Sequence, residues 1–156
     1  MELWVEKYRP TTLDGYVGNE VIKNKIEDYL KQGSIQNLLL HGVAGTGKTT
    51  LAKLLVKNID CDYLYINASD ERGIDTIREK IQPFALSMGF NDVKIVILDE
   101  ADYLTPQAQA TLRHTIEACS ATTRFILTCN YLERIISPLQ SRCQTFEIIP
   151  PSKREV

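Results

Sequence analysis

Residues Gly42-Val43-Ala44-Gly45-Thr46-Gly47-Lys48-Thr49 spell a complete G-x-x-x-x-G-K-T. Glycines at this spacing let the backbone close around a phosphate, with successive N–H groups and the start of a following helix turned toward the anion. Lys48 would reach the β- and γ-phosphates, and the Thr49 hydroxyl would ligate Mg²⁺, with Thr50 beside it in the nucleotide-binding set. Downstream, Ile95-Val96-Ile97-Leu98-Asp99-Glu100 reads as an apolar strand that delivers a carboxylate to its tip. Asp99 there would hold the metal's water shell. Glu100, pointing differently, would orient and deprotonate an attacking water. A phosphotransferase acting on small molecules has no need of such a water activator, so the pair favours hydrolysis.

Two asparagines extend this chemistry. Asn130 ends a later strand, where a neutral amide would hydrogen-bond the γ-phosphate and the water together; a plain turn asparagine is the alternative. Asn67 ends another strand and would bond Glu100, holding it inactive until triggered. An Asx turn leading into Ser69-Asp70 competes evenly with that switch role. Asp99-Glu100-Ala101-Asp102 and Ser120-Ala121-Thr122 also spell two helicase signatures. Helicases need a second domain of the same kind, for which 156 residues leave no room, and Ser120–Thr122 precedes a strand rather than ending one.

Positioning these residues requires strands that end at one edge. Asn37–His41 is a buried strand, followed by the glycine turn and a helix to about Asn58. Asp62–Asn67, Val93–Asp99, Thr123–Cys129 and Gln144–Ile148 complete five strands. Val21–Leu30 and Ile74–Met88 carry apolar residues at spacings of three and four, as amphipathic helices do. Thr105-Pro106 pairs an N-cap with proline at the first helical position and opens a helix to about Ala118. Strands alternating with helices predict a parallel sheet covered on both faces, and such sheets bind ligands at their C-terminal strand ends.

Composition agrees. A chain of 156 residues with 44% hydrophobic content supports one core. The net charge of −2 excludes a uniformly basic coat for nucleic acid but leaves room for a local basic face. No apolar run is long enough to span a bilayer, and no signal peptide is expected, which points to the cytoplasm, or the nucleus in a eukaryote. Cys61, Cys119, Cys129 and Cys143 have no metal-ligand spacing and read as reduced, mostly buried thiols. His41 and His114 read as structural or surface residues.

With these residues in hand, the sequence resembles the AAA+ clamp-loader ATPases, most closely replication factor C small subunits. Trp4-Val5-Glu6-Lys7-Tyr8-Arg9-Pro10, Asn67-Ala68-Ser69-Asp70-Glu71-Arg72-Gly73-Ile74, Phe125-Ile126-Leu127-Thr128-Cys129-Asn130-Tyr131 and Leu139-Gln140-Ser141-Arg142-Cys143 each resemble a signature of that family. The resemblance implies a P-loop NTPase fold, a three-layer α/β/α arrangement around a five-stranded parallel sheet of order 5-1-4-3-2. It implies that Val5, Arg9, Pro10, Val17 and Gly18 surround the adenine. It makes Asn130 the sensor 1 residue and Arg142 an arginine finger acting on ATP held by a neighbouring subunit. The implied assembly is a pentamer of homologous subunits around primer–template DNA, opening a sliding clamp. Arg72, Arg78 and Lys80 are the candidate DNA contacts, weighed equally against a solvated helix face beside Glu71, Asp75 and Glu79.

The departures are local. Val43-Ala44 replaces the usual Pro-Pro of the loop, which is tolerable because backbone N–H groups do the binding. Arg113-His114 stands where the family often has two arginines. The expected division is an adenine-contacting segment over 1–19, a RecA-like ATPase subdomain over 20–150, and the start of a lid over 151–156. The resemblance implies a helical lid and an oligomerising collar beyond the ATPase subdomain, and without them the isolated chain is expected to turn over ATP very weakly. Another AAA+ DNA motor, a nucleotide-dependent scaffold without turnover and a small-molecule kinase are the competing readings.

Overall fold

A computed structural model describes residues 36–148 apart from 46, 58, 60, 88 and 90–92, together with Asn24 and Asp28. Of the predicted first helix only Asn24 and Asp28 are therefore described, both helical and exposed. Val5, Arg9, Pro10, Val17, Gly18 and Thr46, and the segments 1–19 and 151–156, lie outside the described residues.

Five strands form one sheet: β1 (Leu38–His41), β2 (Asp62–Asn67), β3 (Lys94–Asp99), β4 (Thr123–Cys129) and β5 (Gln144–Glu147). Their spatial order is β2-β3-β4-β1-β5 and every pairing is parallel, which is the predicted 5-1-4-3-2 order read from the other edge. Parallel strands need crossovers, and the helices that supply them cover both faces. Helix α1 (Lys48–Lys57) packs Leu51, Leu54 and Leu55 against Leu38, Leu40, Ile95, Ile97 and Ile126. The opposite face, from Leu39, Val96, Leu98, Phe125 and Leu127, packs against Ile77, Ile81, Ala108, Leu112 and Ile116. Alternate residues of one strand thus enter different cores, so β3 is buried at every position and its sequence shows no polar alternation.

The predicted Ile74–Met88 helix is a composite. It runs as α2 (Ile74–Thr76), a π-helical turn over Ile77–Ile81, and α3 (Gln82–Leu86). The Gln82 N–H reaches Ile77 O, one residue beyond an α-helical bond. Pro83 explains the widening, because its ring presses on the preceding turn and it donates no N–H. Helix α4 (Pro106–Ala118) begins as predicted: Thr105 Oγ1 accepts from Ala108 N at 3.1 Å, and Pro106 follows the cap. From α4 the buried Gln109 fixes the loop beyond β4. Its Nε2 donates to Leu104 O at 3.2 Å and Arg134 O at 2.9 Å, and its Oε1 accepts from Ile136 N at 2.8 Å. A short helix α5 (Ser137–Ser141) then leads into β5.

Candidate nucleotide site

The glycine loop links the tip of β1 to α1. Gly45 and Gly47 adopt φ of 83° and 90°, the left-handed region that side chains disfavour. A Cβ on Gly45 would meet nothing within 4 Å, so backbone conformation, not crowding, calls for glycine there. The Gly42 N–H donates to Cys129 O at 3.2 Å, which ties the loop to the adjacent strand. Lys48 begins α1 and folds back, its Nζ donating to Gly42 O and Val43 O at 2.9 Å each. Burial lowers the Lys48 pKa from its ordinary value, against the pull of nearby acids including Asp99, Asp102 and Glu100.

Asp99 sits at the tip of β3, only 6% exposed, and three hydroxyls converge on it. Thr49 Oγ1 donates at 2.9 Å to Oδ1 and 3.0 Å to Oδ2, Tyr65 OH donates to Oδ2 at 2.7 Å, and Thr128 Oγ1 donates to Oδ1. Thr128 Oγ1 also accepts the Glu100 N–H at 2.9 Å. Glu100 itself has φ 55° and ψ 47°, the left-handed conformation, and is the non-glycine residue at positive φ among those described. This kink sends its side chain away from the strand direction. Strain of this kind persists only where the surroundings enforce it.

A cleft of about 380 Å³ opens over this crevice. The predicted residues Ala44, Gly45, Gly47, Lys48, Thr49 and Thr50 line one side, and Asp99, Glu100 and Asn130 the other. Asn130 is held through its backbone: the buried Asp102 accepts from Asn130 N at 3.3 Å and Tyr131 N at 3.2 Å through Oδ2. The donor set fits Mg²⁺. A hydroxyl and a carboxylate in mutual contact are hard oxygen ligands, few enough to leave water in the shell as that ion prefers. No group of three or more His, Cys, Asp or Glu side chains that could hold a metal ion occurs among the described residues, so most of the Mg²⁺ shell would come from water and phosphate.

Other predicted residues are placed differently. Asn67 forms the Asx turn: its Oδ1 accepts from Ser69 N at 2.9 Å and Ser69 Oγ at 2.7 Å. The turn engages only the acceptor of the amide; a bond to Glu100 would use the Nδ2 donor. Arg142 lies in the turn between α5 and β5, at the N-terminal strand ends, so the sheet separates it from its own glycine loop. Its guanidinium pairs with Glu117 of α4, and Asn37 Nδ2 bonds its carbonyl at 3.4 Å. It lines a second cleft of about 400 Å³ with Arg124, Ser120 and Asn37. Of the candidate DNA contacts, Arg72 donates to Ser69 O at 3.0 Å and lies 5.2 Å from the Tyr103 ring, Lys80 pairs with Glu71, and Arg78 is exposed.

Tyr65, Thr128, Asp102 and Glu117 were missed as site residues. Thr128 alone left a signal, a hydroxyl two positions before Asn130 on a strand beside β3.

A glycine loop between β1 and α1, an acidic tip on β3 and a polar end on β4, all at the C-terminal edge of a parallel sheet, define a P-loop nucleotide-binding domain. The family model described as "ATPase family associated with various cellular activities (AAA)" matches residues 38–151, and the chain belongs to that family. Among curated relatives, the replication factor C small subunit of Natronomonas pharaonis is 49% identical over 96% of this chain and 48% of its own length. That of Archaeoglobus fulgidus is 47% identical over 97% of this chain and 50% of its own. The chain therefore spans about half the length of the curated relatives it matches. Among solved structures, the Thermotoga maritima RuvB Holliday junction branch migration motor superposes with a TM-score of 0.74 at 22% identity, over 90% of this chain and 48% of that one. At that identity the likeness shows the fold alone. Among the described residues no helix is long and apolar enough to cross a membrane.

Proposed function

We propose that this chain binds Mg-ATP and hydrolyses it as the ATPase domain of a DNA sliding-clamp loader. The convergence of Lys48, Thr49, Asp99, Glu100 and Asn130 on one cleft carries the chemistry. The similarity to replication factor C small subunits supports the clamp-loader setting.

The roles follow from placement. The N–H groups of the loop and the start of α1 cradle the phosphates. Lys48 exchanges its two loop carbonyls for phosphate oxygens, which are better partners for a cation already weakened by burial. Mg²⁺, held by Thr49 and by Asp99 through water, would neutralise charge on the phosphate oxygens. Glu100 takes a proton from the attacking water, and Asn130 hydrogen-bonds the water and the γ-phosphate. Phosphoryl transfer depends on such positioning and electrostatics more than on covalent chemistry. Arg142 is too far across the sheet for its own pocket. It serves a neighbour's ATP, which makes assembly with homologous subunits, in a pentameric ring, a condition of turnover. Clamp opening and primer–template DNA are the partners of that ring, with Arg78 the most available of the proposed DNA cations. Residues 1–19 supply the adenine contacts, and 151–156 lead toward a lid. Such a loader works in the cytoplasm, or in the nucleus of a eukaryote.

Calorimetry with Mg-ATP tests the division of roles. Lys48→Ala should abolish binding, whereas Glu100→Gln should retain it and lose turnover. Equal loss of affinity in both variants would refute the assignment.

A further inference from the structure

The Asp99 carboxylate receives one hydroxyl that no phosphate-loop chemistry requires. Thr49 comes from the loop helix and Thr128 from the neighbouring strand β4. Tyr65 comes from β2, the edge strand, and reaches across to Asp99 Oδ2 at 2.7 Å. In the β2–β3 register Tyr65 lies opposite Ile97 and Asn67 opposite Asp99, so the phenol must span two positions along the sheet to make this bond. Tyr65 is 37% exposed and has the Lys53 Nζ 5.0 Å from its ring centroid. Packing therefore accounts for the ring only in part, and the hydroxyl has a partner at the centre of the site.

Each carboxylate oxygen has two lone-pair directions. Thr128 occupies one on Oδ1 and Tyr65 one on Oδ2, while Thr49 straddles both oxygens. With Thr128 and Tyr65 pinning opposite oxygens, the carboxylate cannot swivel about its Cβ–Cγ bond. The lone pairs that Thr49 shares are thereby kept on the Thr49 side.

We propose that Tyr65 is a positioning residue of the magnesium site, which fixes Asp99 so that the lone pairs on its Thr49 side face the cation. The inference rests on the magnesium reading of Thr49 and Asp99 above. Outer groups that orient metal ligands typically affect metal affinity by 10–100-fold. The effect here is smaller, because Asp99 works through water and Thr128 still holds one oxygen.

The test compares wild type with Tyr65→Phe, which removes a single oxygen. ADP is titrated calorimetrically in EDTA and in saturating Mg²⁺, and the electron paramagnetic resonance of bound Mn²⁺-ADP is recorded for each protein. The expected result is unchanged ADP affinity in EDTA, a loss of about 3–10-fold in the enhancement that Mg²⁺ confers, and a broadened Mn²⁺ spectrum. An identical Mg²⁺ enhancement and spectrum in both proteins would overturn the role of Tyr65. An equal drop in affinity with and without metal would also overturn it, because the hydroxyl would then be supporting the fold. If wild type itself gains nothing from Mg²⁺, the assignment of Thr49 and Asp99 fails, and the Tyr65 role with it.

Discussion

The Thr128 hydroxyl accepts the Glu100 N–H at 2.9 Å while giving its own proton to Asp99. One oxygen on β4 thereby sets both acids at the tip of β3. Thr128→Val keeps the shape and deletes both bonds. It leaves a half-buried N–H and one carboxylate oxygen short of a partner, which costs about 1–3 kcal/mol. In the assembled ring, turnover should fall at least 10-fold, and Thr128→Ser should restore most of it. Urea unfolding and steady-state phosphate release measure the two effects, and a Thr128→Val protein with normal turnover would contradict the relationship.

Glu100 holds its left-handed backbone at a cost of about 1–2 kcal/mol. Glu100→Gly removes that cost, while glycine's greater freedom in the unfolded chain returns about 0.5–1 kcal/mol of it. The variant should gain up to about 1.5 kcal/mol in stability and lose turnover. Glu100→Ala should lose turnover without the gain. A Glu100→Gly protein less stable than Glu100→Ala by about 0.5–1 kcal/mol would show that the left-handed conformation carries no strain.

Arg142 and Glu117 form an exposed ion pair, a kind that contributes less than about 1 kcal/mol. Arg142→Ala should therefore leave the melting temperature nearly unchanged. Fused to the remaining half of a replication factor C small subunit so that rings assemble, Arg142→Ala and Lys48→Ala should each be nearly inactive alone, and mixing them should restore part of the activity. Some interfaces then join an intact pocket to an intact finger, an effect worth about 10³-fold or more. A destabilised Arg142→Ala protein that mixing does not rescue would leave Arg142 a local pin of its turn.

Burial, aided by the Asp102 charge, pushes the Cys129 thiol from its ordinary 9.0 up to about 12. The unfolded chain releases this proton near pH 9 and the folded chain holds it to about pH 12. The stability involved is thus complete below the lower value and is lost as pH rises through the window. Cys129→Ala should flatten the alkaline decline measured by urea unfolding, by at most about 1.4 kcal/mol per pH unit. Parallel declines in both proteins would contradict the assignment.

Local chemistry made much of this protein legible in its sequence. The loop from Gly42 to Thr49 depends on glycine torsions and on a helix that starts where the loop ends, so contiguous residues suffice to define it. The unbroken apolar run before Asp99 declares a strand buried on both faces, and Thr105-Pro106 declares a helix start. Proline also widened the Ile77–Ile81 turn, though periodicity alone predicted an ordinary helix there. Tertiary structure decided what depends on register between strands. Tyr65 and Asp99 are 34 residues apart in the chain and Thr128 lies 29 beyond Asp99, yet their polar atoms meet because β2, β3 and β4 align side by side. A slip of one residue would turn each of these side chains to the other face. Asn67 commits its Oδ1 to the turn, because its Ser69 donors lie two residues away. The position of Arg142 relative to its own phosphate loop likewise follows from all five strands running parallel, which puts strand ends and strand starts on opposite edges of the sheet.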